Sequence, residues 1–463
     1  MCSSDLEPAN AGVKDVSSFS SLLPVIEAFF VVHQSPAGLV STPIGTPVGS
    51  SPSTPRRPSA DLRTSFDIST DPAHSHVYEF VKKNKQLLNL LIKQTPDLLL
   101  SGGGFAPIMA FPFLLDFDVK REYFRVALRK EKESQSHHHY GGLQLRIRRE
   151  RLFEDSYHQI KEGPVSKLYG RLSVEFVGEP GIDAGGLLKD WYQELSKQIF
   201  NPGYALFIPS ADGAFQPNKD SQVNTHHLDF FTFCGRVIGK AIYDGANMDV
   251  HFTRSFYKHI LGKKVEWKDM QAVDPEYYQN LKWLLDNDIT DVMDLTFSTE
   301  ETSFGVTKPV DLIPNGSNVA VTEENKAEYV QLMSESKMTS IIQDQITAFL
   351  GGFYELIPKS LISLFNELEL ELLISGLPNI DIADMRRHTE YTGYRPDSPT
   401  IQYFWNIVER YSQEDRALLL QFVTGSSKVP LDGFEALQGM GGPQKFRIVK
   451  TGETDRLPSA HTW

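Results

Sequence analysis

The chain has 463 residues, 40% of them hydrophobic and 11% aromatic, which is room for several domains and a substantial core. Its formal charge of −13 disfavours non-specific attachment to nucleic acid or anionic membrane, so no nucleic-acid role is expected. Cys2 and Cys234 are the sole cysteines, which excludes a disulfide framework and a multi-cysteine zinc site and suits a reducing compartment.

No apolar run is long enough to span a bilayer, and no basic segment followed by an apolar one opens the sequence. The expected location is the cytoplasm, the nucleus or both, with no membrane partner. Residues 1–34 hold one short apolar patch, Phe19 to Val32, which predicts a helix with Pro24 in its first turn and no core of its own nearby. Residues 35–75 are rich in Ser, Thr and Pro and bury too little apolar surface to offset ordering, so a disordered linker is expected. Residues 76–104 form a helical lead-in, with Val77, Phe80, Val81, Leu87, Leu88, Leu91 and Ile92 at helical spacing before a Gly102-Gly103-Gly104 break.

A globular unit is expected over residues 105–390. Arg171 to Val177 alternates apolar and polar residues as a half-buried strand does. Gly181 to Gly186 reads as a tight turn with Asp183 as a helix cap, followed by Leu188, Trp191, Tyr192, Leu195 and Ile199 on one stripe. Helices are predicted over Leu228–Ile242, Ile341–Phe353 and Leu361–Ile374, the last with Pro358 in its first turn and Gly376 as its stop. The run Tyr391 to Pro399 is punctuated by Gly and Pro and reads as a hinge before Ile401-Gln402-Tyr403-Phe404-Trp405. The alternation of strands and helices gives an α+β class.

Several blocks, taken in order, carry more information than any single motif. They include Asp183-Ala184-Gly185-Gly186-Leu187-Leu188, Asn201-Pro202-Gly203-Tyr204, Phe252-Thr253-Arg254-Ser255-Phe256-Tyr257, Gln421-Phe422-Val423-Thr424-Gly425, and the closing Leu457-Pro458-Ser459-Ala460-His461-Thr462-Trp463. Together with Phe111 to Arg121, they resemble the HECT-type ubiquitin ligases, and among these the giant ligases of the plant UPL and HUWE type. The resemblance implies a bilobal α+β fold: a large lobe over 105–390 with an inserted subdomain at 251–330, a hinge at 391–399, and a small lobe over 400–463. It also implies three partners, namely a ubiquitin-conjugating enzyme, ubiquitin and protein substrates. Separately, Gly235 to Lys240 lacks the spacing of a phosphate loop and no zinc-protease motif occurs, so no cofactor is expected.

In the family, the Leu-Pro-x-Ala-His-Thr run leads into the catalytic cysteine, and here the next residue is Trp463. A thioester relay needs a thiolate that is both nucleophile and leaving group, and an indole is neither. The resemblance further implies that the small lobe continues past this position and that Met1 is internal to a longer ligase. His461 and Thr462 are expected either to orient the loop or merely to shape its turn. Cys234, among aromatic and branched neighbours, reads as a packed thiol with a raised pKa rather than a nucleophile.

The segment matching the family's enzyme-docking groove contains Tyr277, Tyr278, Leu281, Leu284 and Leu285, which helical spacing sets on adjoining faces. Groove and ordinary core are both open for each of these residues. Tyr204 and Phe304 match positions that form a second, non-covalent ubiquitin surface in some relatives, or else they are buried aromatics. His137-His138-His139 lies in a polar stretch and cannot converge on one ion, so no metal site is expected. The competing functional readings are a thioester-forming ligase, a binding module that occupies conjugating enzymes without turnover, and an inert gene-model fragment.

Overall fold

A computed structural model describes residues 23–32, 72–95, 99, 105, 108–109, 111–135, 141–179, 186–210, 213–290, 294–303, 305–377, 379–424, 428–430, 432–439, 442–451 and 458–460. The polar linker expected at 35–75 falls outside these residues except for its last four, which begin a helix. Cys2, Asp183 and the three adjacent histidines also lie outside them. Two compact units divide the chain, the first ending at Arg129 and the second starting at Lys130.

In the first unit the helices Leu23–Val32, Pro72–Lys83 and Lys85–Gln94 share one apolar core. The sequence reading gave the first of these helices no core, and the structure corrects it. Ile26 and Phe30 are buried, Phe29 sits 4.2 Å from Phe80 by ring centroids, and Phe30 sits 5.4 Å from Phe105. Apolar side chains this densely aromatic gain most by burial together, whatever polar sequence lies between them. Phe105, Ile108, Phe111, Leu114, Leu115 and Val119, from the stretch expected to open the large lobe, join the same core. Asn89 fixes their path: its side-chain amide donates to the Leu114 carbonyl at 3.1 Å, and its Oδ1 accepts from the Asp116 backbone N–H at 2.7 Å.

The second unit begins with a parallel strand pair, Leu143–Ile147 beside Leu172–Phe176, joined through the helix Leu152–Glu162. Leu172, Val174 and Phe176 point into the core, as the alternation requires. The helix Gly186–Ile199 follows, with Trp191, Tyr192, Leu195 and Ile199 buried, and Trp191 Nε1 donates to Ser156 Oγ at 2.8 Å. At the centre the helices His227–Asp244 and Gln343–Tyr354 pack through glycine. A Cβ added at Gly235 would lie 2.0 Å from the Phe349 carbonyl oxygen, and one at Gly352 would lie 2.0 Å from that of Thr232. Backbones can come this close only where neither helix carries a side chain at the crossing. Phe207, Phe252 and Phe256 pack around the pair, with Phe256 5.0 Å from Phe349.

The single helix predicted over Leu361–Ile374 is two, Lys359–Ile362 and Glu367–Ser375. Asn366 restarts it: its side chain accepts from the Glu369 N–H at 2.9 Å while Glu369 accepts from the Asn366 N–H, a reciprocal cap. Gly376 ends it at φ 76°, a left-handed angle that favours glycine.

Beyond that glycine a separate core forms from Ile380, Ile382, Met385, Ile401, Trp405, Val408, Leu420, Val429, Phe434, Leu437 and Phe446. Thr389–Thr392 pairs in parallel with Phe446–Val449 inside this group, and Trp405 Nε1 donates to the Tyr391 hydroxyl at 2.9 Å. Residues 391–399 therefore do not join two lobes: Tyr391 and Tyr394 pack on the small core itself. The change of core falls instead at Gly376–Ile380.

Candidate functional site

The inserted subdomain is built on its own core of Val265, Met270, Leu281, Leu284, Ile289, Phe297, Val321, Tyr329, Val330 and Met338. Its helix Pro275–Asp286 starts where Asp274 accepts from the Tyr277 N–H at 3.0 Å, with Pro275 in the first turn. The five residues expected to form a docking face then separate. Leu281 is 2% exposed and Leu284 8%, so of the two alternatives left open for them, groove or core, both take the core. One face of an amphipathic helix must close its own hydrophobic core before another can be spared for a partner.

Tyr277, Tyr278 and Leu285 are half-buried at the edge of that core. The Tyr278 ring stacks on Trp267 at 5.2 Å, and Lys337 Nζ lies 3.5 Å from the centre of the Tyr277 ring. Burial pushes the Tyr277 phenol well above its ordinary pKa. Trp267, the stacking partner, is a residue that sequence reasoning missed. A tryptophan just ahead of an acidic N-terminal turn is no local signal of contact with a helix farther along. Trp283, on the same helix, is 42% exposed.

The hairpin Ser298–Ser303 with Val306–Asp311 follows in antiparallel register. It is tied to the large lobe through Ser303 Oγ, which donates to Asp220 at 2.7 Å, and through Lys219, which donates to the Thr302 carbonyl. Phe304, at its turn, lies outside the described residues. Tyr204 is half-buried, stacks on Phe153 at 4.1 Å and donates its hydroxyl to Glu154 at 2.7 Å. That burial and the Glu154 carboxylate raise its pKa, so it stands as a neutral donor.

His461, Thr462 and Trp463 lie outside the described residues. Cys234 is fully buried on the helix His227–Asp244, and burial drives its thiol pKa well up, leaving it protonated and inaccessible. Among the described residues no cluster of His, Cys, Asp and Glu is arranged to hold a metal ion, and no helix is long and apolar enough to cross a membrane.

One polar constellation escaped the sequence reading. His251 Nε2 lies 3.2 Å from Asp249 and Nδ1 3.3 Å from Glu371, which also accepts from Arg254 at 2.6 Å. Hydrogen bonds to Asp249 and then Glu371 raise the His251 pKa to about 9, so the ring is charged at neutral pH. Lys428, from the far side of Gly376, lies 2.9 Å from Asp249. The His251 interaction, with Lys428 beside it, holds the Asp249 carboxyl far below its ordinary pKa. Members of this set are separated by up to 179 residues (428 − 249) in the sequence; no spacing pattern could have gathered them.

Comparison with known proteins bears on this arrangement as a whole. The model of the HECT domain (ubiquitin-transferase) matches residues 193–462, more than half the chain. "E3 ubiquitin-protein ligase UPL2" of Arabidopsis thaliana is 47% identical over 467 residues, covering 97% of this chain and 13% of that protein. "E3 ubiquitin-protein ligase HUWE1" of Mus musculus is 44% identical over 491 residues, covering 100% of this chain and 11% of that protein. "E3 ubiquitin-protein ligase TOM1" of Saccharomyces cerevisiae is 44% identical over 401 residues, covering 86% and 12%. The chain thus spans 11 to 13% of the length of these relatives. With the central helix pair, the inserted subdomain and the small core after Gly376 all inside the matched stretch, the chain belongs to the HECT-domain family.

Proposed function

We propose that this chain is the ubiquitin-transfer region of an E3 ubiquitin-protein ligase. In this reading the inserted subdomain docks a ubiquitin-conjugating enzyme, and the lobe after Gly376 works on the ubiquitin that the enzyme carries, for delivery to lysines of protein substrates. The reading rests on the HECT-domain match across residues 193–462, which covers the subdomain and the small core together. Support also comes from the subdomain itself, whose core is closed by its own residues and leaves Tyr278 and Leu285 half-buried at its edge.

The residue at 463 favours a second reading for this polypeptide. Where the family resemblance sets a cysteine after His461-Thr462, the sequence has Trp463, which offers no ionisable sulfur. Cys234 does not substitute, being buried and protonated. The 463-residue polypeptide is therefore expected to hold a conjugating enzyme without taking ubiquitin from it.

Docking is tested by titrating the chain with a ubiquitin-conjugating enzyme. Leu285→Ala should weaken binding by roughly tenfold, the loss of about 1.4 kcal/mol expected for an apolar contact at an interface core. Amide exchange in the helix Pro275–Asp286 should stay as in the parent, which separates a lost contact from a lost fold. Equal affinity in the variant would remove Leu285 from the docking face.

A further inference from the structure

The large lobe and the small core meet at a tight joint. A Cβ at Gly376 would come 2.7 Å from the Val429 carbonyl oxygen and 3.2 Å from Asn247 Cγ, and the Leu377 N–H donates to that same Val429 oxygen at 3.1 Å. Beside this contact runs the row Lys428–Asp249–His251–Glu371–Arg254, in which the charge alternates in sign at every step. Four of the five members belong to the large lobe: Asp249, His251 and Arg254 follow the helix His227–Asp244, and Glu371 lies on the helix Glu367–Ser375. Lys428 alone comes from the small lobe, next to Val429, which the small core buries.

We propose that Lys428 and Asp249 are positioning residues whose ion pair sets the angle of the small lobe on the large one. The proposal rests on the transfer function above, because that angle decides where the small lobe's transfer site stands relative to a docked conjugating enzyme. Asp249 is a stiff anchor: His251 and, through Glu371, Arg254 hold it in place, so Lys428 meets a carboxylate with little freedom left to lose. The Lys428 side chain is 18% exposed, against 45% for Asp249, so screening by salt is limited on the lysine side of the pair. A free pair on flexible side chains would hold little, whereas a network pre-ordered on one side makes the last contact directional.

The test measures lobe geometry directly. Spin labels go on Ser360→Cys in the large lobe and Asn406→Cys in the small one, both exposed, in a Cys2→Ser background where the buried Cys234 does not react. Pulsed dipolar spectroscopy should give a narrow distance distribution for the parent and for Lys428→Arg. Lys428→Gln and Asp249→Asn should each widen it, by at least about twofold for a released hinge. The double variant should be no wider than either single one, since both changes remove one interaction. A distribution unmoved by Lys428→Gln, or widths that add in the double variant, would overturn the proposal. Because neither ubiquitin nor a conjugating enzyme is present, such a failure would leave the docking titration untouched, and loss of docking would leave this result standing.

Discussion

Gly235→Ala is expected to destabilise the Lys130–Trp463 unit by at least about 3 kcal/mol, the upper range for overpacking a closed core. The added methyl would meet the Phe349 carbonyl oxygen at 2.0 Å and the Phe353 nitrogen at 2.9 Å, and both are backbone atoms of a helix that cannot swing aside as a side chain would. Relief requires the helices His227–Asp244 and Gln343–Tyr354 to part, which opens the cluster of Phe231, Phe252, Phe256 and Phe349 between and around them. Gly351→Ala provides the control on the partner helix Gln343–Tyr354: nothing lies within 4 Å of its added Cβ, so helix propensity should raise stability by about 0.5–1 kcal/mol. Urea midpoints of the two variants should move in opposite directions. A midpoint for Gly235→Ala at or above that of the parent would contradict the close crossing.

Leu284→Asp is expected to unfold the inserted subdomain rather than to prune a docking contact. Leu284 lies in a core with Leu281, Ile289 and Val330, and a carboxylate there has no partner, at a cost of about 3–5 kcal/mol. The cost should be local, because this core is distinct from the ones on either side of it. Amide exchange should accelerate in the helices Pro275–Asp286 and Lys326–Met338 while His227–Asp244 stays protected. Unchanged protection in Pro275–Asp286 would show that the side chain faces solvent after all.

Much of this architecture was legible in the sequence because its signals are local. The strand Leu172–Phe176 and the helix Gly186–Ile199 follow directly from their apolar periods. The family resemblance also rested on short blocks read in order. What escaped depends on distance. The helix Leu23–Val32 reads as isolated because its partners Phe80 and Phe105 lie far along the chain, beyond the Ser- and Pro-rich stretch. Residues 391–399 read as a joint because Gly393 and Pro396 punctuate them, yet a turn inside a packed lobe uses the same residues as a hinge between lobes.

The true change of core, at Gly376–Ile380, carries only the ordinary stop signal of a helix. Core and edge of the helix Pro275–Asp286 could not be told apart for a related reason: helical spacing gathers Leu281, Leu284 and Leu285 on one side, but which edge closes the core depends on Val265, Phe297 and Val330 packing from elsewhere. The row from Lys428 to Arg254 had no sequence signature at all, since each member is an ordinary charged residue until the fold assembles it.

The most direct measurement mixes the purified 463-residue chain, in the Cys2→Ser background, with a conjugating enzyme carrying ubiquitin as a thioester, following complex formation by titration and ubiquitin transfer on a non-reducing gel. A saturable complex should form through the inserted subdomain, with no reductant-sensitive ubiquitin band on the chain, because Trp463 carries no thiol and Cys234 is sealed in the core. Absence of any complex would contradict the docking function, and a reductant-sensitive adduct would contradict the assignment of position 463.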